Sequence, residues 1–352
     1  MTRAQRLLTL MIGLVFVLAA CGQGDESPAA PTSAEAEPSA AASEEPSEEA
    51  SAEPTPVAMT AVDFRLNWVI AGNHAPYFLA LQEGFWEECG LEVTMAAGQG
   101  SGDTAQQVAN QTQEFGLTDG VSIVNGQTRG LEIVSLGVIY QTNPSAIVSK
   151  KDSGIEELQD VEGLTWGAVP GGSPYLLLNA LFEENDIDTG SIREVSVPAP
   201  GIAQLLSDQV DFITFFGNEA ANIDPNPSEN LNVIPFSDYG QDIYGLAIAS
   251  HPDYIAENPD QARCFVDGVR RGFEAAEENP EAALDALEAA NPETAERRDV
   301  HEALLEGAFE YAGDELLVHS ADKWEETQRV LSDAGIIEST VDVSGLYTDE
   351  YQ

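Results

Sequence analysis

Aromatic and amide side chains cluster directly after the first strand-like segment of the chain. The alternating segment 62–68 ends at Trp68, and Asn73, His74 and Tyr77 follow within nine residues of it. Trp and Tyr rings can stack on a flat ring, and Asn or His side chains can hydrogen-bond its edge. The alternative is that Trp68 and Tyr77 are core residues and that His74 braces a loop. We expect the cluster to contact a ligand.

Two predicted helix starts supply further candidate ligand contacts. The motif GQGSGD at 98–103 lacks the third glycine of a dinucleotide-binding fingerprint, since an aspartate stands there. Backbone amides at a helix start still favour a polar or anionic group, so Ser101 and Gly102 are candidates, with a plain tight turn as the alternative. Gly172 and Ser173 open another predicted helix, where Ser173 could be only a capping residue.

Motifs of catalysis and metal binding are missing from the sequence. It contains no G-x-S-x-G, H-E-x-x-H or P-loop pattern. Its four histidines, and the cysteines other than Cys21, show no metal-ligand spacing. We therefore predict no catalytic residue, no metal and no cofactor.

The elements that must position these residues alternate between strand-like and helix-like segments. Such an order predicts an α/β fold with parallel-dominated sheets flanked by helices. After Pro252 the pattern is helical throughout. The apolar segment 244–250 is predicted to return to the first unit. We place a first lobe at 61–149 and 240–352, and a second lobe at 150–239.

Composition excludes a nucleic acid as partner. The chain has 352 residues, with 61 acidic against 14 basic side chains and a formal net charge of −47. Binding to a nucleic acid needs a basic surface, so we expect no such partner. A hydrophobic content of 43% is ample for a packed core.

Cys89 and Cys264 could pair, but we favour two ordinary, partly buried thiols.

The first 60 residues are predicted to stand apart from the folded domain. Residues 1–21 combine early arginines, an apolar run and the ending LAAC, which resembles a bacterial lipobox. Cys21 is then the lipidated residue, and the protein is extracytoplasmic and lipid-anchored to the cell membrane. Residues 22–60 are rich in Ala, Glu, Pro and Ser and lack aromatic side chains, so we predict a disordered acidic tether.

Several segments resemble one family of ABC-transporter solute-binding proteins. Leu66-Asn67-Trp68 and the segments 73–77 and 84–93 are similar to its opening. The segment 130–134 resembles the strand after its third helix, and 158–163 resembles the start of its second lobe. This family includes binders of thiamine pyrimidine precursors, riboflavin, nitrate, taurine and sulfonates. The resemblance, over about 64–290, implies a two-lobed periplasmic binding protein of type II with two hinge crossovers. It also implies a membrane permease as partner and, we expect, a monomer.

The segment FFGNEA at 215–220 is similar to an NNEP stretch in the vitamin-precursor branch of that family. The resemblance implies ligand contact by Asn218 and Glu219, which could recognise the edge of an aminopyrimidine or a flavin. A glutamate merely favoured by a helix dipole is the alternative. We expect a small heteroaromatic vitamin or precursor as ligand, with a nitrate, taurine or sulfonate binder as the alternative.

The same scaffold includes an enzyme, a thiamine pyrimidine synthase, which resembles this chain over 116–122. This sequence has Thr118 where that enzyme carries its cofactor lysine and Ser122 where it carries a histidine, and it lacks the cysteine-rich iron motif. We therefore expect a binding protein and not an enzyme. A sensor lipoprotein is the remaining alternative.

Overall fold

The computed structural model describes residues 58–170, 172–198 and 200–352. The predicted signal segment, Cys21 and nearly all of the acidic tether lie outside the described residues. Within the described ranges, no helix combines the length and the apolar character that crossing a bilayer would require.

Ten strands in the described residues form two sheets of five. Their inward positions carry the large apolar side chains; in the first strand Val62 and Phe64 are buried while Ala61 and Asp63 are exposed. In chain order the strands are β1 Thr60–Arg65, β2 Leu91–Ala96, β3 Phe115–Asp119, β4 Val134–Val138, β5 Ser145–Lys150, β6 Thr165–Ala168, β7 Arg193–Ser196, β8 Phe212–Phe216, β9 Leu231–Pro235 and β10 Leu246–Ser250.

Each sheet contains one reversed strand among four that share a direction. The first sheet has the order β2-β1-β3-β10-β4 and the second β7-β6-β8-β5-β9. β10 is antiparallel to both of its neighbours, as is β5 in the second sheet. The sheets are therefore parallel-dominated, as the sequence predicts, and 244–250 does return to the first sheet.

The segment 145–150 lies in the second sheet, although the sequence places it at the end of the first lobe. β5 pairs with β8 and β9 over its whole length. The first crossover therefore precedes Ser145, a few residues before the predicted boundary at 149. An apolar strand fits the middle of either sheet equally well, so its composition did not reveal which one it joins.

Eleven α-helices in the described residues cover the sheets. They are α1 Ala75–Gln82, α2 Ser101–Ala109, α3 Gly120–Thr128, α4 Ser173–Glu184, α5 Ile202–Leu206, α6 Pro227–Asn230, α7 Pro252–Glu257, α8 Pro259–Glu278, α9 Pro280–Ala290, α10 Arg298–Ala312 and α11 Ala321–Asp333. Proline starts α8 and α9, where a missing amide hydrogen costs nothing. α8 buries Phe265, Val269 and Phe273 at helical spacing.

A disulfide joins Cys89 to Cys264, so the prediction of two unpaired thiols is wrong. The cysteines are 175 residues apart in sequence, but their Cα atoms lie 5.9 Å apart. α8 packs against the turn after α1, where Trp86 stacks on Phe265 with centroids 5.4 Å apart. This packing, which sequence spacing cannot reveal, brings the cysteines together.

Two crossover segments, 139–144 and 236–245, connect the two sheets and run side by side. The amide of Asn143 donates to the carbonyl of Ile243 at 2.7 Å, and that of Gly245 donates to the carbonyl of Tyr140 at 2.9 Å. A side chain at Gly245 would collide with Tyr140 and Thr142, so this contact needs glycine. The sheets with their helices thus form two lobes joined at one side.

Candidate functional site

A cavity of about 110 Å³ lies between the two lobes. The segments that surround it lie at or directly after the carboxyl ends of five strands, namely β1 and β2 of the first lobe and β6, β7 and β8 of the second. Ligands of α/β proteins bind at this end of the strands. The lining residues are Asn67, Trp68, Gln99, Gly100, Ser101, Val169, Pro170, Gly172, Ser173, Pro174, Tyr175, Pro200, Thr214, Phe215, Phe216 and Glu219.

In the first lobe, His74 fixes the orientation of the lining residue Asn67. The backbone N–H of Ala71 donates to His74 Nδ1 at 3.2 Å. The hydrogen of the neutral ring is therefore on Nε2, which donates to Asn67 Oδ1 at 2.9 Å. Burial, together with nearby His301, lowers the pKa of His74 to about 3. The ring stays neutral and holds one amide in place.

The glycine loop after β2 packs against the same segment of the first lobe. The amides of Gly98 and Gly100 donate to the carbonyls of Trp68 and Asn67 at 2.9 and 2.8 Å. A Cβ at Gly98 would lie 2.0 Å from the carbonyl oxygen of Leu66. Gly100 has a φ of 126°, which favours glycine. These two glycines allow Ser101, at the start of α2, to lie at the cavity.

The second lobe contributes a mainly apolar wall. Pro170, Pro174 and Pro200 supply rigid surfaces, and Phe215 and Phe216 end β8. Aromatic and proline surfaces of this kind suit a flat, apolar ring.

Tyr175 adds an aromatic ring to this wall. It stacks on Trp166 with centroids 5.4 Å apart and planes inclined by 25°. Its hydroxyl donates to Glu194 at 3.4 Å. The phenol group therefore points to an exposed carboxylate, while packing on Trp166 orients the ring.

Glu219 is the acidic residue that lines the cavity, and it is 4% exposed. Its Oε1 accepts a hydrogen bond from Asn73 Nδ2 of the first lobe at 3.0 Å. Burial raises the pKa of Glu219 to about 7. A buried carboxylate with a neutral partner is costly, so this group favours either protonation or a ligand that donates hydrogen bonds.

A second buried hydrogen bond joins the lobes. Ser173, at the first position of α4, donates from Oγ to Asp119 Oδ2 of the first lobe at 2.8 Å. The other oxygen of Asp119 accepts from the backbone N–H of Ser122 at 2.7 Å and caps α3. Both Ser173 and Asp119 are buried.

The structure brings half of the sequence-predicted ligand residues to the cavity. Trp68, Ser101, Gly172, Ser173 and Glu219 line it. The other five, placed elsewhere, are Asn73, His74, Tyr77, Gly102 and Asn218. Asn73 and His74 lie directly behind the lining and hold Glu219 and Asn67, respectively. A direct ligand contact by any of these ten residues remains a prediction.

Tyr77, Gly102 and Asn218 have other surroundings. The Tyr77 ring packs edge-on against Phe64 and Phe273, both at 5.4 Å, as the core-residue alternative expected. Gly102 is exposed within α2. Asn218 lines a separate cavity between the second lobe and α10.

Sequence reasoning did not single out Asn67, Tyr175 or Phe216 as cavity residues. Each lies within a few residues of a strand end or a helix start that the sequence does predict. Applying the strand-end rule to every predicted strand would have found Asn67 and Phe216. Tyr175 lies in the first turn of α4, and its aromatic ring beside Ser173 was the available signal.

The charge of the lining restricts the ligand. The described lining residues include one carboxyl group and neither lysine nor arginine. The described part of the chain also holds no group of His, Cys, Asp and Glu side chains arranged to bind a metal ion. The described lining thus presents one buried carboxyl group and no positively charged side chain.

The fold and this site define a two-lobed solute-binding architecture, and comparison with known proteins agrees. The chain belongs to the family described as NMT1/THI5-like, which it matches over residues 71–283. It is 27% identical to the riboflavin-binding protein RibY of Chloroflexus aurantiacus, over 98% of this chain and 97% of the relative.

Other similar proteins include both binders and enzymes. A formylaminopyrimidine-binding protein of Halalkalibacterium halodurans is 22% identical over 65% of this chain and 70% of its own. A 4-amino-5-hydroxymethyl-2-methylpyrimidine phosphate synthase of Legionella pneumophila is 22% identical over 82% of this chain and 92% of its own.

Solved structures share the fold. The alkanesulfonate-binding protein SsuA of Xanthomonas axonopodis superposes with a TM-score of 0.66 at 13% identity, covering 83% of this chain and 99% of that protein. The type II periplasmic-binding-protein fold expected from the sequence is confirmed.

Proposed function

We propose that this protein is the solute-binding subunit of an ABC importer and that it captures a flat, uncharged heteroaromatic compound between its lobes. The observation that carries the proposal is the composition of the cavity. Aromatic and proline side chains surround one buried glutamate, and the described lining has no basic side chain. The names of the riboflavin-binding and formylaminopyrimidine-binding relatives support the same class of ligand.

In this proposal, Trp68 and Tyr175 stack on the ring, while Glu219 accepts hydrogen bonds from ring or exocyclic N–H groups. Such stacking contributes on the order of 1 kcal/mol beyond area burial. Removing a charged hydrogen-bond partner costs about 1.5–3 kcal/mol. Glu219 therefore supplies the largest polar contribution and sets the preference for a hydrogen-bond donor.

The first test is a binding screen followed by calorimetry on two variants. Riboflavin, an aminopyrimidine, nitrate and an alkanesulfonate are compared by thermal shift. With the best heteroaromatic compound, Glu219→Gln should weaken binding by about tenfold or more. Trp68→Ala should weaken it and reduce any ligand-induced fluorescence change. Glu183→Gln, which changes an exposed glutamate on the same lobe, is the matched control.

The sulfonate alternative makes the opposite prediction. A buried carboxylate beside an anion repels it, so Glu219→Gln would leave its affinity unchanged or improve it. Tight binding of nitrate or a sulfonate, with neither variant impaired, would contradict the heteroaromatic proposal.

A synthase activity is not favoured by the residues at the corresponding positions. Thr118 is a threonine and so has no amine with which to hold a cofactor. It is buried, and its hydroxyl donates to the carbonyl of Ser101 at 2.8 Å. Purified protein with pyridoxal phosphate and histidine should form no pyrimidine product. Product that is lost in a Thr118 or Ser122 variant would overturn the binding assignment.

We further propose that a lipid on Cys21 anchors the protein to the extracytoplasmic face of the cell membrane, where the protein delivers ligand to a permease. The Cys89–Cys264 disulfide supports an oxidising, extracytoplasmic compartment. Cys21→Ser should release the protein from the membrane fraction and leave ligand affinity unchanged. A wild-type protein found wholly in the soluble fraction with its signal segment uncut would contradict the anchor.

A further inference from the structure

The hydrogen bond between Ser173 and Asp119 differs from the one between Asn73 and Glu219, because the acceptor Asp119 does not line the cavity whereas Glu219 does. Ser173 is 2% exposed and Asp119 is fully buried. Asp119 divides its two oxygens between the lobes, since Oδ1 caps α3 of its own lobe and Oδ2 accepts from Ser173 of the other.

Separation of the lobes must break this bond together with the one between Asn73 and Glu219. Glu219 also faces the cavity, so a ligand can compete with Asn73 for it. Asp119 does not line the cavity, and its bond to Ser173 can persist whether or not a ligand occupies the site.

We infer that Ser173 and Asp119 form a latch that holds the lobes together independently of the ligand, so that Ser173 positions the lobes in addition to lining the cavity. The inference rests on the two-lobed binding fold but not on the identity of the ligand. It predicts that the latch sets the balance between open and closed lobes in the ligand-free protein.

The test is hydrogen–deuterium exchange on the full chain without added ligand. Ser173→Ala removes the donor and would leave Asp119 Oδ2 unpaired in the closed arrangement. The open population should rise about tenfold. Backbone amides on both sides of the cleft, at 67–74 in the first lobe and 172–178 in the second, should then exchange faster.

Two variants separate a latch from a local effect. Ser173→Thr keeps a hydroxyl and should restore slow exchange. Ser250→Ala removes another buried serine hydroxyl, whose bond to the carbonyl of Glu114 at 2.7 Å stays within the first lobe. This control should leave exchange at 172–178 unchanged.

The outcomes are distinguishable from failure of the proposed function. If Ser173→Ala speeds exchange only at 172–178, the hydroxyl serves α4 alone and the latch is refuted. Faster exchange in both lobes supports the latch even if every compound in the binding screen fails. Weaker ligand binding without any change in ligand-free exchange would make Ser173 a ligand contact and overturn the inference.

Discussion

The two lobes contribute different chemistry to the cavity. The first lobe provides loops whose polar groups are fixed by internal hydrogen bonds, as His74 fixes Asn67 and the Gly98 and Gly100 amides fix the glycine loop. The second lobe provides a mainly apolar wall with one buried carboxyl group, Glu219. The first lobe therefore contributes polar groups with fixed orientations, while the second contributes apolar surface and the buried carboxyl group.

The two lobes also differ in what stabilises each of them internally. The disulfide and the long helix α8 belong to the first lobe. The described part of the second lobe depends on its sheet and on packing around side chains such as Trp166 and Phe212. A comparison of perturbations in the two lobes should separate covalent from non-covalent stabilisation.

The largest expected effect comes from removing the disulfide. Replacing both Cys89 and Cys264 by serine should lower the free energy of unfolding by about 2–4 kcal/mol, because the crosslink restricts the unfolded chain. Denaturant titration monitored by Trp fluorescence measures the change, with Cys21→Ser as the matched control. An unchanged midpoint in the double variant would show that packing of α8 alone holds this region.

An intermediate effect is expected from Glu219 and depends on pH. Its folded-state pKa of about 7 exceeds the ordinary value of 4.5, so the folded protein binds more protons than the unfolded chain between these values. The free energy of unfolding should therefore fall as pH rises from about 4.5 to 7.

Glu219→Gln should remove this pH dependence. The difference in the free energy of unfolding between the variant and the wild type should therefore shift in favour of the variant by about 1–3 kcal/mol from pH 5 to pH 8. Thermal denaturation across this pH range measures the change, with Glu183→Gln, at an exposed glutamate of the same lobe, as the control. The same slope in the Glu219 variant and the wild type would assign the titration to another group.

The smallest effect is expected at Tyr175. Its hydroxyl makes only a long hydrogen bond to an exposed glutamate, so Tyr175→Phe should change stability by less than about 0.5 kcal/mol and leave ligand affinity unchanged. Tyr175→Ala also removes the ring stacked on Trp166, and it should weaken heteroaromatic binding several-fold. Equal effects of the two substitutions in calorimetry would argue against stacking as the role of the ring.

The sequence revealed the parts of the fold that local patterns encode. Alternation in 62–68 and the apolar run at 244–250 identify strands, and the helical pattern after Pro252 identifies the region of α7 to α11. The pairing of Cys89 with Cys264 and the sheet chosen by 145–150 depend on contacts between distant segments, which periodicity does not report.

The candidate site shows the same division. Glu219 could be predicted because an acidic residue after an apolar strand is conspicuous and resembles a known motif. The roles of Asn73 and His74 behind the lining depend on partners in the folded structure, Glu219 and Asn67. Residue type indicated that these side chains make hydrogen bonds but not whether the partner is a ligand or the protein.

The placement of β10 has a consequence for the order in which the chain folds. β4 pairs with β10 alone in the first sheet, so that sheet stays incomplete until residues 246–250 have been synthesised. The second sheet needs only residues 145–235, a continuous stretch with closer contacts along the chain. Since nearby contacts form faster than distant ones, we expect the lobe that begins later in the chain to fold first.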